Sequence, residues 1–453
     1  MRDDTPDAAA IGLRVRPSVT TIVRAQVLHT PRDPFTEADA LESFSDGAVA
    51  FAGGRILATG GYAGVRAQHR DAEVVDARDA ILLPGLVDTH VHYPQIGVIG
   101  AMGLELLDWL AQRALPEEAR LADDSYARAT ARRFVRALAA NGTSAALVFG
   151  SHFPVAQEAL FEEADRIGLR IASGLVVSDR NLLEALHVTP AVAYEESRAL
   201  AQRWHGHGRL RYAVSPRFSV SCGEAMLEVC GALVQELPDA LFTSHINENL
   251  AEVALIAELF PWSRDYLDTY DRYDLVGPAT VLAHDVHVSD GELRRLAAAG
   301  AAVAHCPSSN AFLASGSFPM RRHRAHGVRF ALGSDVGAGT GLSLFKEGLM
   351  AYQVQMLQSA SDLLGPAHLL WLATRAGALA LGLEHEIGDL CAGRSADFVL
   401  VRAPADGTLA AVLADSPSPE ATLGALFTLA REDCVAELRV AGEPVFRRSD
   451  ATP

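Results

Sequence analysis

The sequence predicts an α/β fold: a (β/α)8, TIM-type barrel inserted in a small β domain that is built from both chain ends. Three observations predict it. Short β-rich runs separated by turns occupy the chain up to residue 83. From residue 81 onward, apolar runs of four to eight residues alternate with helix-length segments, the pattern of parallel β/α units. After residue 384 the chain returns to short strands. The expected parts are residues 1–83 and 385–453 for the small β domain and residues 84–384 for the barrel.

The first part opens with Thr20 to Leu28, rich in β-branched residues, followed by the apolar run Gly47 to Ala52. Gly53-Gly54 separates that run from Arg55-Ile56-Leu57-Ala58, which is the grammar of a hairpin. Eight barrel strands follow: Ile81 to Val87, Thr143 to Val148, Arg170 to Val177, Leu210 to Val214, Ala240 to Thr243, Thr280 to Ala283, Ala301 to Ala304 and Arg329 to Leu332. Eight is the number that closes a barrel. The segments between them carry helical spacing, as in Ala225, Leu227, Val229, Leu233 and Leu237 after strand four. Asp397 to Val401 and Val435 to Val440 are the strands expected near the end.

Composition narrows the function. The 453 residues leave room for a large core. Fifty-six acidic against 39 basic residues give a formal charge of −17, the wrong sign for binding nucleic acid or an anionic membrane, so a small-molecule partner is expected. Five cysteines without a C-x-x-C pair encode neither a disulfide framework nor a thiolate zinc site and fit a reducing compartment. Met1-Arg2-Asp3-Asp4 lacks the basic start of a signal peptide, and no apolar run nears the roughly 18–20 residues that cross a bilayer. The cytoplasm is the expected compartment.

The sharpest local signal is Pro84-Gly85-Leu86-Val87-Asp88-Thr89-His90-Val91-His92-Tyr93-Pro94-Gln95. Residues i and i+2 of a strand share a side, so His90 and His92 present two imidazoles to one point at the carboxyl end of strand one, where barrel active sites lie. Strand five ends at His245, strand six at His284 and strand eight at Ser334-Asp335, each placing a metal-ligand type at the same barrel end. Three imidazoles and one carboxylate with room for water form the open sphere of a catalytic metal site. Zinc is the default ion for these donors, and Fe2+ or Mn2+ suits a similar set. A second His-x-His, His205-Gly206-His207, lies in a polar, Arg-flanked stretch and reads as surface. His305 and Cys306 alternate to opposite sides of strand seven, which argues against a nucleophilic pair.

The PGLVDTHVH, HINEN, HCPSSN and GSDVGAGT segments resemble the amidohydrolase superfamily, and their detail resembles the guanine deaminase family within it. The resemblance runs over nearly the whole chain. It implies one zinc held by His90, His92, His245 and Asp335, with His284 bordering the same water, either as a ligand or orienting it. It also implies Glu248, three residues after His245, as the acid/base group, with Asp335 and His284 assisting. Gln95, Arg217 and Phe218 match the purine-binding pattern, beside His245 and Asp335. The physical logic is sound, since an amide and a guanidinium hydrogen-bond a purine's polar edges while an aromatic ring covers its face. For Glu248 the bland reading is a carboxylate favoured by a helix start.

The implied reaction is hydrolytic deamination of guanine to xanthine and ammonia by a zinc-activated water, in a homodimer. Relatives acting on an oxidised purine, a pterin or an s-triazine are the nearest alternatives, and a non-catalytic scaffold is the alternative of another class. The single lysine, Lys346, lies beyond strand eight, so no carboxylated lysine bridges a second metal. The His-x-Glu and Pro-Cys-x-x-Cys signature of the other deaminase fold is absent.

Overall fold

The computed structural model describes residues 19–359 and 362–449, so the acidic segment Met1 to Asp4 lies outside the described residues. Strands β1 (Thr21–His29), β2 (Glu42–Ala52) and β3 (Arg55–Gly61) form an antiparallel meander. Gly53 and Gly54 turn β2 into β3, both at positive φ, as a tight turn of matching twist requires. Next comes β4 (Glu73–Pro84), parallel to β1. The barrel strands follow in chain order: β5 (Leu86–His92), β6 (Thr143–Phe149), β7 (Arg170–Gly174) with its short continuation β8 (Val176–Val177), β9 (Leu210–Pro216), β10 (Leu241–Ile246), β11 (Thr280–His284), β12 (Ala302–His305) and β13 (Arg329–Leu332). The chain then returns with β14 (Phe398–Val401), β15 (Val435–Val440) and β16 (Glu443–Arg447) to complete a seven-stranded sheet, in the order β16-β15-β14-β4-β1-β2-β3.

The parallel barrel thus expected is present. Its strands are parallel in the order β5-β6-β7-β9-β10-β11-β12-β13, and β8 also pairs with β9. Between β13 and β5, closure is made by bonds beyond the end of β13: the Asp335 N–H donates to His90 O at 2.8 Å, and the His92 N–H donates to Val336 O at 2.9 Å. Asp88 reinforces this seam by accepting the Ser334 N–H at 3.0 Å. The barrel therefore closes through the segment that carries the expected ligands.

Two expected strands differ in detail. Ile81 to Val87 is not one barrel strand: Ile81 to Pro84 pair with β14 in the small sheet, and only Leu86 onward joins β6. Gly85 makes the crossing because a Cβ there would meet the Ser144 side chain at 2.3 Å. Arg170 to Val177 is likewise interrupted, at Leu175, between β7 and β8. Two helices near the chain end, Thr408–Ala414 and Pro419–Leu429, interrupt the expected run of strands. The second rests on the barrel helix Leu344–Met356, with the Phe345 and Phe427 rings 5.4 Å apart.

The barrel interior is lined by small residues, among them Ala145, Ala172, Ala213, Ala283, Ala302 and Ala304, all buried. Ala378, Ala380 and Leu381 cover its amino-terminal end. Arg170 ties barrel to small sheet: it donates to Asp397 at 2.7 Å, to Glu386 at 2.7 Å and to the Ser395 hydroxyl at 3.0 Å. Among the described residues no helix is long and apolar enough to cross a membrane.

Candidate active site

His90 and His92 sit at the end of β5, His245 on β10, His284 at the end of β11 and Asp335 just beyond β13. All five are buried. The Nε2 atoms of His90 and His92 are 3.0 Å apart, and those of His92 and His245 are 3.2 Å apart. Asp335 Oδ1 lies 3.3 Å from His90 Nε2 and 3.2 Å from His92 Nε2. Four donors about 2.1 Å from one tetrahedral ion stand roughly 3.4 Å apart, so these contacts are compatible with one ion shared among them. His284 points its Nε2 at the same space from further out, 3.8 Å from Asp335 Oδ2. One ligand atom from each of His90, His245, His284 and Asp335 also falls within a 4.8 Å group. Two fourfold sets therefore share three members, and the shorter contacts put His92 in the inner one.

The ring hydrogens are directed by neighbours. His245 Nδ1 donates to the Arg217 carbonyl oxygen at 2.6 Å, and His284 Nδ1 donates to Asn310 Oδ1 at 2.9 Å. Each bond turns an Nε2 lone pair towards the centre. The Nε2 of His284 is buried and has no hydrogen-bond partner among the described residues, an orphaned acceptor that a metal or its water would satisfy. Burial lowers His92 to about 3 and takes His245 well below the ordinary histidine value, with neighbouring imidazoles adding to the shift, so these rings stay neutral. The donor set, imidazoles with one carboxylate, fits a borderline divalent ion.

The strand ends are bent to aim these groups. His284, Asp285, Asn247 and Asp335 have φ of 76°, 48°, 50° and 47°, a left-handed conformation that non-glycine residues seldom take. A buried network over-determines two of them, Asn247 and Asp285. Asn247 donates to Asp285 at 2.9 Å and to Glu292 at 3.1 Å, and His323 Nε2 donates to Asp285 at 2.8 Å.

Glu248 lies at a helix start but does not cap it. Asn249 and Glu252 form the capping box of helix Leu250–Leu259, and Glu252 accepts the Glu248 N–H at 3.0 Å. The Glu248 carboxyl is thereby free to face the cleft, 3.4 Å from His284 Nε2, and it accepts the Ser315 hydroxyl at 3.4 Å. Burial, then the charges of Glu252 and Asp335, push it well above the usual carboxylate range. Asp335 goes the other way: burial opposes ionisation, but the hydrogen bonds of His90 and His92 outweigh it and hold the carboxyl well below that range. Two carboxyl groups in one site are thus split into an acid and a base, which is the division of labour general acid/base chemistry needs.

The cleft beside these groups is lined by His92, Gln95, Arg217, Phe218, His245, Glu248, His284 and Asp335, so it brings nearly every expected site residue together; His90 lies behind it against His92. Leu106, Trp109, Leu110, Leu313 and Ala338 complete the wall. The Gln95 amide is fixed at both ends, its Nε2 donating to Glu118 at 2.8 Å and its Oε1 accepting the Gly337 N–H at 3.0 Å. Arg217 Nη1 donates to both oxygens of Glu118 at 2.8 Å. Sequence reasoning missed Glu118 and Trp109, which lie in the helical segment after β5 at no fixed spacing from any ligand motif. It also gave HCPSSN no role, whereas Asn310 of that segment orients His284.

The residues set aside stand apart. His205 bonds the Pro238 carbonyl and His207 pairs with Asp165 on the surface. His305 stacks on Phe318 at 4.4 Å, while the Cys306 thiol, pushed well above its usual value by burial, faces the barrel interior. Lys346 donates to the Thr340 carbonyl at 3.0 Å, outside the barrel. All five cysteines are free thiols.

The chain matches the amidohydrolase family model over residues 81–445. It is 54% identical over 433 residues to a probable guanine deaminase of Deinococcus radiodurans, covering 94% of this chain and 99% of that protein. It is 36% identical over 424 residues to the guanine deaminase of Escherichia coli, covering 93% of this chain and 96% of that one. The solved structure of the E. coli guanine deaminase superposes with a TM-score of 0.90 at 34% identity, over 95% of this chain and all of that one.

Proposed function

The chain belongs to the amidohydrolase family, and we propose that its reaction is the hydrolytic deamination of guanine to xanthine and ammonia. The observation that carries this reading is the convergence, on one small cleft, of a metal-type donor set, a protonated carboxyl at Glu248 and a polar clamp for a flat heterocycle at Gln95 and Arg217.

His90, His92, His245 and Asp335 would hold the metal, which is zinc on this reading, and His284 faces the same space. Zinc, when bound there, supplies the polarisation that brings the pKa of a water down towards about 7. Gln95 and Arg217 hold the polar edges of the base, and Phe218 together with the apolar wall excludes bulk water. Asp335, ionised, takes the proton given up as a water oxygen adds to C2 of guanine. Glu248, protonated, donates to the adjacent ring nitrogen N3 in the same addition; its carboxylate then takes the proton of the added hydroxyl and passes it to the amino group, which leaves as ammonia as the C2–N bond breaks, and the proton held by Asp335 restores the Glu248 acid. His284, its Nδ1 hydrogen committed to Asn310, has only an acceptor to offer the attacking water and so fixes the water's orientation.

The −17 charge and the five free thiols favour a cytoplasmic enzyme, and a homodimer is the assembly that goes with this reading. The test follows guanine loss and xanthine appearance by ultraviolet absorbance, using zinc-loaded protein with and without a chelator. Chelator-sensitive conversion is expected. Metal-loaded protein that leaves guanine untouched would overturn the substrate and send the search to other amino-heterocycles.

A further inference from the structure

Glu118 has no place among the metal donors. It lies on the short helix Leu115–Ala119, 2% exposed, against Arg217 at 3%. It accepts three hydrogen bonds of 2.8 Å, two from Arg217 and one from Gln95. Removing both an arginine and a glutamate from water is costly, and the cost is recovered only where geometry is good and neighbouring donors fill the remaining lone pairs. That arrangement is met here, and Glu118 holds both members of the clamp expected to grip the base.

The surrounding groups leave the Arg217–Glu118 pair to set the charge of this wall. His152 Nδ1 approaches Glu118 at 3.5 Å from the loop after β6, but burial, helped by Arg217, keeps this imidazole well below its ordinary value and so neutral. Gln95 is uncharged. The adjacent Glu117 is turned away to Arg120 and Tyr126. Glu248 and Asp335 also line the cleft.

We propose that Glu118 is a positioning residue that makes the base clamp electrically neutral, so that the cleft holds the neutral aminopurine and discriminates against the ionised product of its own reaction. The inference rests on guanine being the substrate. Deamination replaces an amino group by a carbonyl, which leaves a ring N–H flanked by two carbonyls and makes xanthine the stronger acid. An unpaired Arg217 would attract its anion, whereas an Arg217 neutralised by Glu118 does not. The same pairing fixes which N–H groups of Arg217 remain for the base.

The test is Glu118→Gln, which keeps the shape and removes the charge. The amide keeps one acceptor oxygen, turns an N–H donor towards Arg217 in place of the second oxygen and leaves the guanidinium charge uncompensated, so the KM for guanine should rise about tenfold or more, with a smaller change in kcat and unchanged metal content. The decisive reading is inhibition by xanthine at about pH 6 and about pH 9, compared between the two proteins. In the wild type inhibition weakens as xanthine ionises. In Glu118→Gln that weakening is expected to shrink about tenfold or reverse, and Glu118→Asp should restore the wild-type trend. A residue that merely supported the fold would not change this ratio. The same ratio in wild type and Glu118→Gln would overturn the proposal, and if Glu118→Gln fails to fold, a Glu118→Asp protein that loses the wild-type trend overturns it equally. Wild-type protein that neither deaminates guanine nor binds xanthine overturns the substrate reading, and this inference with it; guanine turnover with an unchanged ratio removes this inference alone.

Discussion

His245 Nδ1 lies 2.6 Å from the main-chain carbonyl oxygen of Arg217, so one residue orients an imidazole of the metal-type cluster through its backbone and faces the cleft through its side chain. The two contributions separate on mutation. Arg217→Ala keeps the carbonyl and loses the guanidinium. It should retain its metal by elemental analysis while the KM for guanine rises at least tenfold, as expected for a lost charged hydrogen-bonding group of about 1.5–3 kcal/mol. Parallel loss of metal and activity would show that the guanidinium has no separate role.

Glu248 faces His284 and the cleft with a raised pKa, and its main chain is held by Glu252 rather than by its own carboxyl. Glu248→Gln should therefore fold and bind metal like the wild type. Turnover should fall by about 10²–10⁴, the usual worth of a positioned proton donor. Near-normal kcat with full metal content would remove Glu248 from the reaction.

Glu347, wholly buried on the helix after β13, accepts the Ser308 hydroxyl at 2.7 Å and the Ser308 N–H at 3.1 Å, and burial pushes its carboxyl up to about 8 from an ordinary 4.5. Between those values the unfolded chain has released the proton and the folded chain keeps it. The folded state binds more protons, so this group's stability is full below 4.5 and is lost as pH rises towards 8. Glu347→Gln mimics the protonated acid at every pH. Its Tm should match the wild type at pH 5 and exceed it by a few degrees at pH 8. A Tm difference that does not grow with pH would show that Glu347 is ionised in the native protein.

Arg170 spans the barrel and the small sheet, and its partner Asp397 is almost wholly buried. Arg170→Met would strand that carboxylate. A loss of about 3–5 kcal/mol in denaturant unfolding is expected, because removing one member of a buried pair costs more than the pair contributes. Replacing both residues by apolar ones should recover much of it, and a single variant as stable as the wild type would show that water reaches Asp397.

The metal-type cluster was legible in the sequence because its members lie at or within three residues of strand ends. There the two-residue alternation of the backbone fixes where a side chain points before any long-range contact forms, which is why His90 and His92 converge and why His305 and Cys306 diverge. The eight-strand count and the return of the chain to the small sheet were legible for the same reason, since buried parallel strands read as short apolar runs. Other features depended on groups far apart in the chain. The crossing at Gly85 was hidden because Ile81 to Val87 is one extended run, and only the approach of Ser144 divides it between two sheets. Glu118 was hidden because its meaning lies in Gln95 and Arg217, 23 and 99 residues away, and no local periodicity ties a short helix to either. Asn310, 26 residues beyond His284, fixes that ring's hydrogen in the same way. Local backbone geometry determined which donors share the barrel mouth. Burial and long-range pairing decided their protonation, their tautomers and the charge of the wall that faces the base.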